Sequence, residues 1–248
     1  MRFLILPGDS KSKFVNGQPS LWDQVNAEEE LSMKQSDQPI HFAGTTLIGK
    51  HRHICALFYT DEQEYRVLLP FIQEGFERGE RAFHIVDSKL RDQHLERLQA
   101  TGIDTLAEEQ NGQLEVRRWH DTYLRHGYFD QNRMIALVEE VLQTGRNDGY
   151  KQTRVVAHME WALEDMPGVN DLVEYETRLN HVLLKHKDPV ICVYDCMKFG
   201  AGVLMDIVRT HPLVIVGGLL QENPFFVPPD RFLQELRERG AYRRRAAS

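Results

Sequence analysis

His53-Ile-Cys-Ala-Leu-Phe-Tyr59 runs directly into Thr60-Asp-Glu-Gln-Glu64, and apolar residues then recur at Leu68, Leu69, Ile72 and Phe76 before Gly79. The first string is a short apolar run of strand length. The second puts carboxylates where a helix first turn favours them, and the third has helical spacing. A strand that turns straight into an amphipathic helix is the repeating unit of a parallel sheet covered by helices. The composition of the turn also matters. A phosphate-binding α/β protein carries glycines and a lysine there, whereas four consecutive polar residues with three carboxylates repel phosphate.

The alternation continues outward from this unit. Arg81-Ala-Phe-His-Ile-Val-Asp87 reads as the next strand, and Ser88 as the cap of a helix carrying Leu90, Leu95 and Leu98, closed by Gly102. Gln113–Trp119 alternates like a strand, and Gln131–Thr144 is amphipathic. Arg154–Glu160 is a further strand and Asp171–Lys185 a helix. Pro189–Asp195 is another buried strand with a helix over Ala201–Arg209, then comes a sixth strand at Leu213–Val216 and a last helix from Pro228 to about Arg239. The expected fold is α/β, a three-layer, mostly parallel sheet flanked by helices, over residues 44–240. Residues 1–43 hold scattered Gly, Ser, Asn and Gln with little periodic pattern. They read as a poorly ordered leader with one short helix near Trp22–Met33. Residues 241–248 form a basic tail around Arg243–Arg245 that reads as a solvated end.

Composition bounds the function. The 248 residues, 42% hydrophobic and 27% charged, suffice for a sizeable core. The stretch Pro212–Leu220 is too short for a membrane span, and Pro7 interrupts the apolar start before it reaches the length of a secretory core. Three cysteines cannot all pair, which suits a reducing cytoplasm. A net charge of −7 argues against direct nucleic-acid binding.

Candidate chemistry gathers at the predicted strand ends. Gly44-Thr-Thr-Leu-Ile-Gly-Lys-His51 is one residue away from a phosphate loop, but His51 replaces the hydroxyl and no helix follows. In His158-Met-Glu-Trp161 a two-residue period puts His158 and Glu160 on one face at the carboxyl end of a strand, beside an indole. Tyr59, Asp87, Trp119 and Asp195 end other strands, so the candidate ligand-binding set is Tyr59, Asp87, Trp119, His158, Glu160, Trp161 and Asp195. The plainer reading has the aspartates as helix caps, Trp161 as core, and His158 and Glu160 bonded locally. No metal or cofactor is expected. His53 and Cys55 share a strand face and Cys192 and Cys196 lie close in sequence, yet neither pair has a recognised ligand spacing. No nucleophile elbow is present, so no catalytic residue stands out.

Several strings read together resemble one family. They are His53-Ile-Cys-Ala-Leu-Phe58, Leu69-Pro-Phe-Ile-Gln-Glu-Gly75 with Arg78-Gly-Glu-Arg-Ala82, His158-Met-Glu-Trp-Ala162, Tyr194-Asp195, Thr210-His-Pro212 and Gln221–Pro229. They resemble the MEDS domain, a sensory domain named for methanogens, methylotrophs and DcmR. The resemblance implies a distant relation to RecA- and KaiC-type domains with the phosphate loop lost, and ligand sensing of small organic compounds. It carries no settled catalytic set. The leading expectation is a non-catalytic sensory module that relays a small organic ligand to a partner protein, a kinase or a transcription regulator, with a homodimer possible. The alternatives are a small-molecule enzyme using His158 and Glu160 as an acid–base pair, and a degenerate nucleotide-binding interaction protein.

Overall fold

The computed structural model describes residues 40–42, 45–47 and 51–246. The expected helix near Trp22–Met33 and most of the leader lie outside the described residues. The strands β1 (Ile40–Phe42) and β2 (Thr45–Leu47) form a small antiparallel pair. β1 falls within the stretch read as leader, and Phe42 is buried with its ring 4.7 Å from that of Phe71. β2 lies within the string that approximates a phosphate loop, so these residues are extended.

The main sheet has seven strands in the order β5-β4-β6-β7-β3-β8-β9. They are β3 (His53–Phe58), β4 (Arg81–Val86), β5 (Leu114–Arg118), β6 (Thr153–His158), β7 (Val190–Asp195), β8 (Leu213–Val216) and β9 (Leu219–Glu222). The first six in that order are mutually parallel, and β9 returns antiparallel to β8. Each strand of the middle is buried on both faces, which explains its near-continuous apolar sequence. Alternate residues feed two cores. Ile54, Ala56 and Phe58 of β3, with Val156 of β6 and Ile191 and Val193 of β7, meet α1 (Asp61–Glu77) through Leu68, Phe71 and Ile72. On the other face Val155, Ala157 and Cys192 meet α4 (Gln131–Asn147) and α5 (Leu172–Leu183) through Val138, Leu142, Tyr175 and Leu179.

The helix ends are chemically specified. Thr60 caps α1 by accepting from Gln63 N, and Asp130 caps α4 by accepting from Asn132 N and Arg133 N. Ser88 does not cap the next helix: residues 88–90 form a turn, α2 spans Arg91–Gln99, and Ser88 Oγ instead lies 2.5 Å from His120 Nδ1. A short helix α3 (Thr105–Asn111) and strand β9 are additions to the sequence reading. Helix α6 (Ala201–Thr210) falls where expected, whereas α7 runs from Pro229 to Ala246 and takes in most of the basic tail. Among the described residues no helix is long and apolar enough to cross a membrane.

Candidate functional site

Parallel strands end on one edge, so β4, β5, β6 and β7 deliver their next residues to a common crevice, as open α/β sheets do. Asp61, Glu64 and Tyr65 from the first turns of α1, Asp87 and Leu90 after β4, and His94 of α2 meet Trp119, His158, Glu160 and Lys198 there. The cleft has a volume of about 40 Å³.

The centre is an ion pair. His158 Nε2 lies 2.6 Å from Glu64 Oε1, both largely buried. Burial alone would lower the His158 pKa. The Glu64 carboxylate, by charge and by hydrogen bond, overrides that with help from Glu160 and Asp61, and raises it to about 9. His158 is therefore a cation at neutral pH. Glu160 goes the other way: burial lifts its pKa against the pull of His158 and Lys198. Lys198 Nζ sits 3.1 Å from Asp195 Oδ2 and 4.0 Å from Glu160 Oε1, linking the two acids.

Beside this pair runs a chain of neutral groups. Tyr65 OH lies 2.8 Å from His94 Nδ1, and His94 Nε2 lies 2.9 Å from His84 Nδ1. Burial and then the cationic His158 push His84 down to about 3. Burial likewise drives His94 well below its ordinary value, with His84 and His158 adding to it. The Trp119 indole lines the cleft, and its Nε1–H has no hydrogen-bond partner among the described residues.

Four of the seven sequence-predicted residues come together in the cleft: Asp87, Trp119, His158 and Glu160. Asp195 reaches it through Lys198. Tyr59 does not line it; its side chain is 59% exposed on the turn before α1. Trp161 does not line it either: it is fully buried, stacked 4.4 Å from the Tyr123 ring and tilted 4.3 Å from the Phe129 ring, and belongs to the core beneath α4 and α5. The two-residue period between His158 and Glu160 also fails, because β6 stops at His158 and Glu160 begins a 3-10 turn through Leu163. Both side chains nonetheless reach the cleft. Sequence reasoning missed Glu64, Tyr65, His94 and Lys198. A histidine on the inward face of a helix, ten residues after a histidine inside an apolar strand, was the signal that could have found His94.

A wider groove of about 290 Å³, lined by Arg117, Arg125, His126 and Arg133, presents charges that stay in water, so it lacks the desolvated polar groups of the cleft.

Residues able to hold a metal occur elsewhere. Although sequence spacing offers no such site, His53, Glu176, Cys192 and His211 are all buried and bring one donor atom each within 4.8 Å of one another.

These features define an α/β domain whose strand-end crevice is lined by carboxylates, two histidines, a lysine and an indole. The chain belongs to the MEDS family, the methanogen/methylotroph, DcmR sensory domain, whose pattern it matches over residues 52–212. That membership makes it a sensory, regulatory domain. It is 25% identical over 169 residues to the transcriptional repressor DcmR of Methylorubrum extorquens, a match that covers 66% of this chain and 59% of the repressor, so it spans about three fifths of that relative. Among solved structures it is similar to a KaiC-like protein of Pyrococcus horikoshii, at 17% identity and a TM-score of 0.47, over 66% of this chain and 69% of that one.

Proposed function

We propose that the protein is a sensory module that takes a small organic compound into the cleft at the strand carboxyl ends and passes the event to a partner protein by a change of surface. The observation that carries this is the cleft itself, where a buried His158–Glu64 ion pair stands beside Glu160, Lys198 and the Trp119 ring. A cleft volume of about 40 Å³ suits a guest of few heavy atoms, with the Trp119 ring as its apolar wall. The partner is a transcription regulator or a kinase, and the relative that is a repressor favours the former. The three free thiols suit a cytoplasmic setting.

The enzyme reading is weaker for a specific reason. His158 is held cationic by Glu64, so it is an acid already occupied, and Glu160 is not its hydrogen-bond partner.

Native mass spectrometry of freshly purified protein, followed by titration of the compound it releases, tests the proposal. Trp119→Phe should weaken binding to the folded fraction by changing the cleft wall and, because Trp119 is buried in the same core as Trp161, should also lower the melting temperature. Trp161→Phe, which alters the core alone, should move melting temperature and leave the affinity of the folded fraction unchanged. Equal affinity in wild type and Trp119→Phe would remove the indole from the site.

A further inference from the structure

We propose that His53, Glu176, Cys192 and His211 form a buried binding site for one divalent transition-metal ion, with zinc the best match. The four come from β3, α5, β7 and the turn between α6 and β8, on the opposite face of the sheet from the α1 side of the cleft.

Geometry is the first argument. His53 Nε2 lies 3.2 Å from Glu176 Oε2 and 3.5 Å from Cys192 Sγ. Glu176 Oε2 lies 3.6 Å from both Cys192 Sγ and His211 Nε2. Zinc bonds of about 2.0–2.3 Å to nitrogen, oxygen and sulfur place tetrahedral ligands about 3.3–3.7 Å apart. Four of the six edges thus match to within about 0.1 Å, and all four donor atoms lie within 4.8 Å of one another.

Proton placement is the second argument. His53 Nδ1 sits 3.2 Å from Asn180 Oδ1, whose amide nitrogen is committed to the carbonyls of Glu176, Thr177 and Thr210. His211 Nδ1 sits 2.9 Å from the carbonyl of Ile207. Both acceptors call for a proton on Nδ1, so in the neutral imidazoles both Nε2 atoms are lone pairs facing the centre. Tyr194 OH donates to Glu176 Oε1 at 2.5 Å, leaving Oε2 free. Metal-bound histidines are oriented in this way, by an outer carbonyl or amide oxygen on the other nitrogen.

Charge is the third. Without an ion, three acceptors face one thiol hydrogen, and His211 Nε2 has no hydrogen-bond partner although it is wholly buried. A buried carboxylate facing lone pairs is costly. Binding a dication releases the Cys192 thiol proton, and the ion with one thiolate and one carboxylate makes a neutral cluster. All four positions are protein ligands, so the ion would clamp four elements together, with no position left for a reacting water.

The test uses the full-length protein. Elemental analysis after dialysis should find about one zinc per chain, and a strong chelator should remove it and lower the melting temperature by several degrees, reversibly. Refilling with cobalt(II) should give tetrahedral visible bands and a near-ultraviolet thiolate-to-cobalt band. Cys192→Ser should abolish that thiolate band while Cys196→Ser keeps it, and His211→Gln should weaken metal affinity at least about tenfold. If wild-type protein, folded by circular dichroism, holds no stoichiometric transition metal and shows no cobalt bands on titration, the cluster is a hydrogen-bond network and the proposal is overturned. A thiolate band that survives in Cys192→Ser overturns it equally.

Discussion

At the residue scale the His158–Glu64 pair is the most consequential contact in the cleft, and its cost and benefit can be separated by pH. The folded-state pKa of His158 is raised to about 9, above the ordinary 6.5. A raised cationic group stabilises the fold fully below its unfolded pKa and loses that contribution as pH climbs through the folded one. The stabilisation should therefore be intact below about pH 6.5 and fade between there and about 9, by roughly 2–3 kcal/mol. Thermal melts of wild type and His158→Gln across this window measure it, because the difference between the two should shrink towards the alkaline end. Parallel curves would show that the imidazole titrates normally. Legibility differs sharply among these residues. The string His158–Trp161 announced chemistry by type, yet only the fold reveals that Glu64, ninety-four positions earlier, is the true partner of His158. The acids at the start of α1 carry a sufficient local explanation as helix-terminus charges, and that explanation hid the second role of Glu64. Trp161 misled for the opposite reason: an indole beside two polar residues looks like a pocket wall, but a 3-10 turn swings it inward onto Tyr123 and Phe129.

Elements were legible in proportion to how completely they are buried. The apolar runs of β3, β4, β6 and β7 are strands covered on both faces, and their sequence has no other explanation. β9 escaped because it is an edge strand with Leu219 and its polar residues exposed, and α3 because Thr105 is its single buried residue. Neither has a periodic apolar face to read. The metal-type cluster escaped for a related reason, since its donors come one each from four separate segments, and no spacing rule spans them. Close approach of helix to sheet leaves a different trace, glycine within a helix. A Cβ on Gly145 of α4 would stand 2.3 Å from Thr153 Oγ1 on β6, while one on Gly202 of α6 would meet nothing within 4 Å. The same substitution should thus have opposite signs. Gly145→Ala should destabilise by about 1–3 kcal/mol, because α4 must lift off a buried strand residue. Gly202→Ala should be neutral or stabilising by up to about 1 kcal/mol through helix propensity. Melting temperatures of the two variants decide it, and a stable Gly145→Ala would mean that α4 is less tightly seated than its core residues Val138, Val141 and Leu142 indicate.

At the scale of the whole described domain, a strand-end cleft on the α1 and α2 side and a polar cluster under α5 and α6 share one sheet, whose alternate residues face opposite sides. β7 illustrates this: Val193 points to the α1 core, while Cys192 and Tyr194 enter the cluster around Glu176. The same architecture bears on nucleotides. A strand followed by a helix is the frame on which phosphate loops are built, and the dipole at the helix N-terminus is worth something to any anion placed there. Here Thr60 has already used one free N–H of α1 by capping Gln63 N, and Asp61, Glu62 and Glu64 surround the others with negative charge. Near the place of a phosphate loop, Thr45–Leu47 is an extended strand paired with Ile40–Phe42. Each carboxylate about 4 Å from a phosphate opposes it by about 1 kcal/mol even in water, and by more inside the cleft. The chain should accordingly give no saturable heat with Mg-ATP or Mg-GTP in titration calorimetry at concentrations where a small organic guest is detected. Substituting Asp61, Glu62 and Glu64 together by glutamine would lift the repulsion and still not create affinity, because the Tyr59–Thr60 turn before α1 has no glycine-rich cradle and no lysine. Micromolar binding of Mg-ATP by the wild-type chain would show that phosphate enters despite the acids, and would return the nucleotide-binding reading to first place.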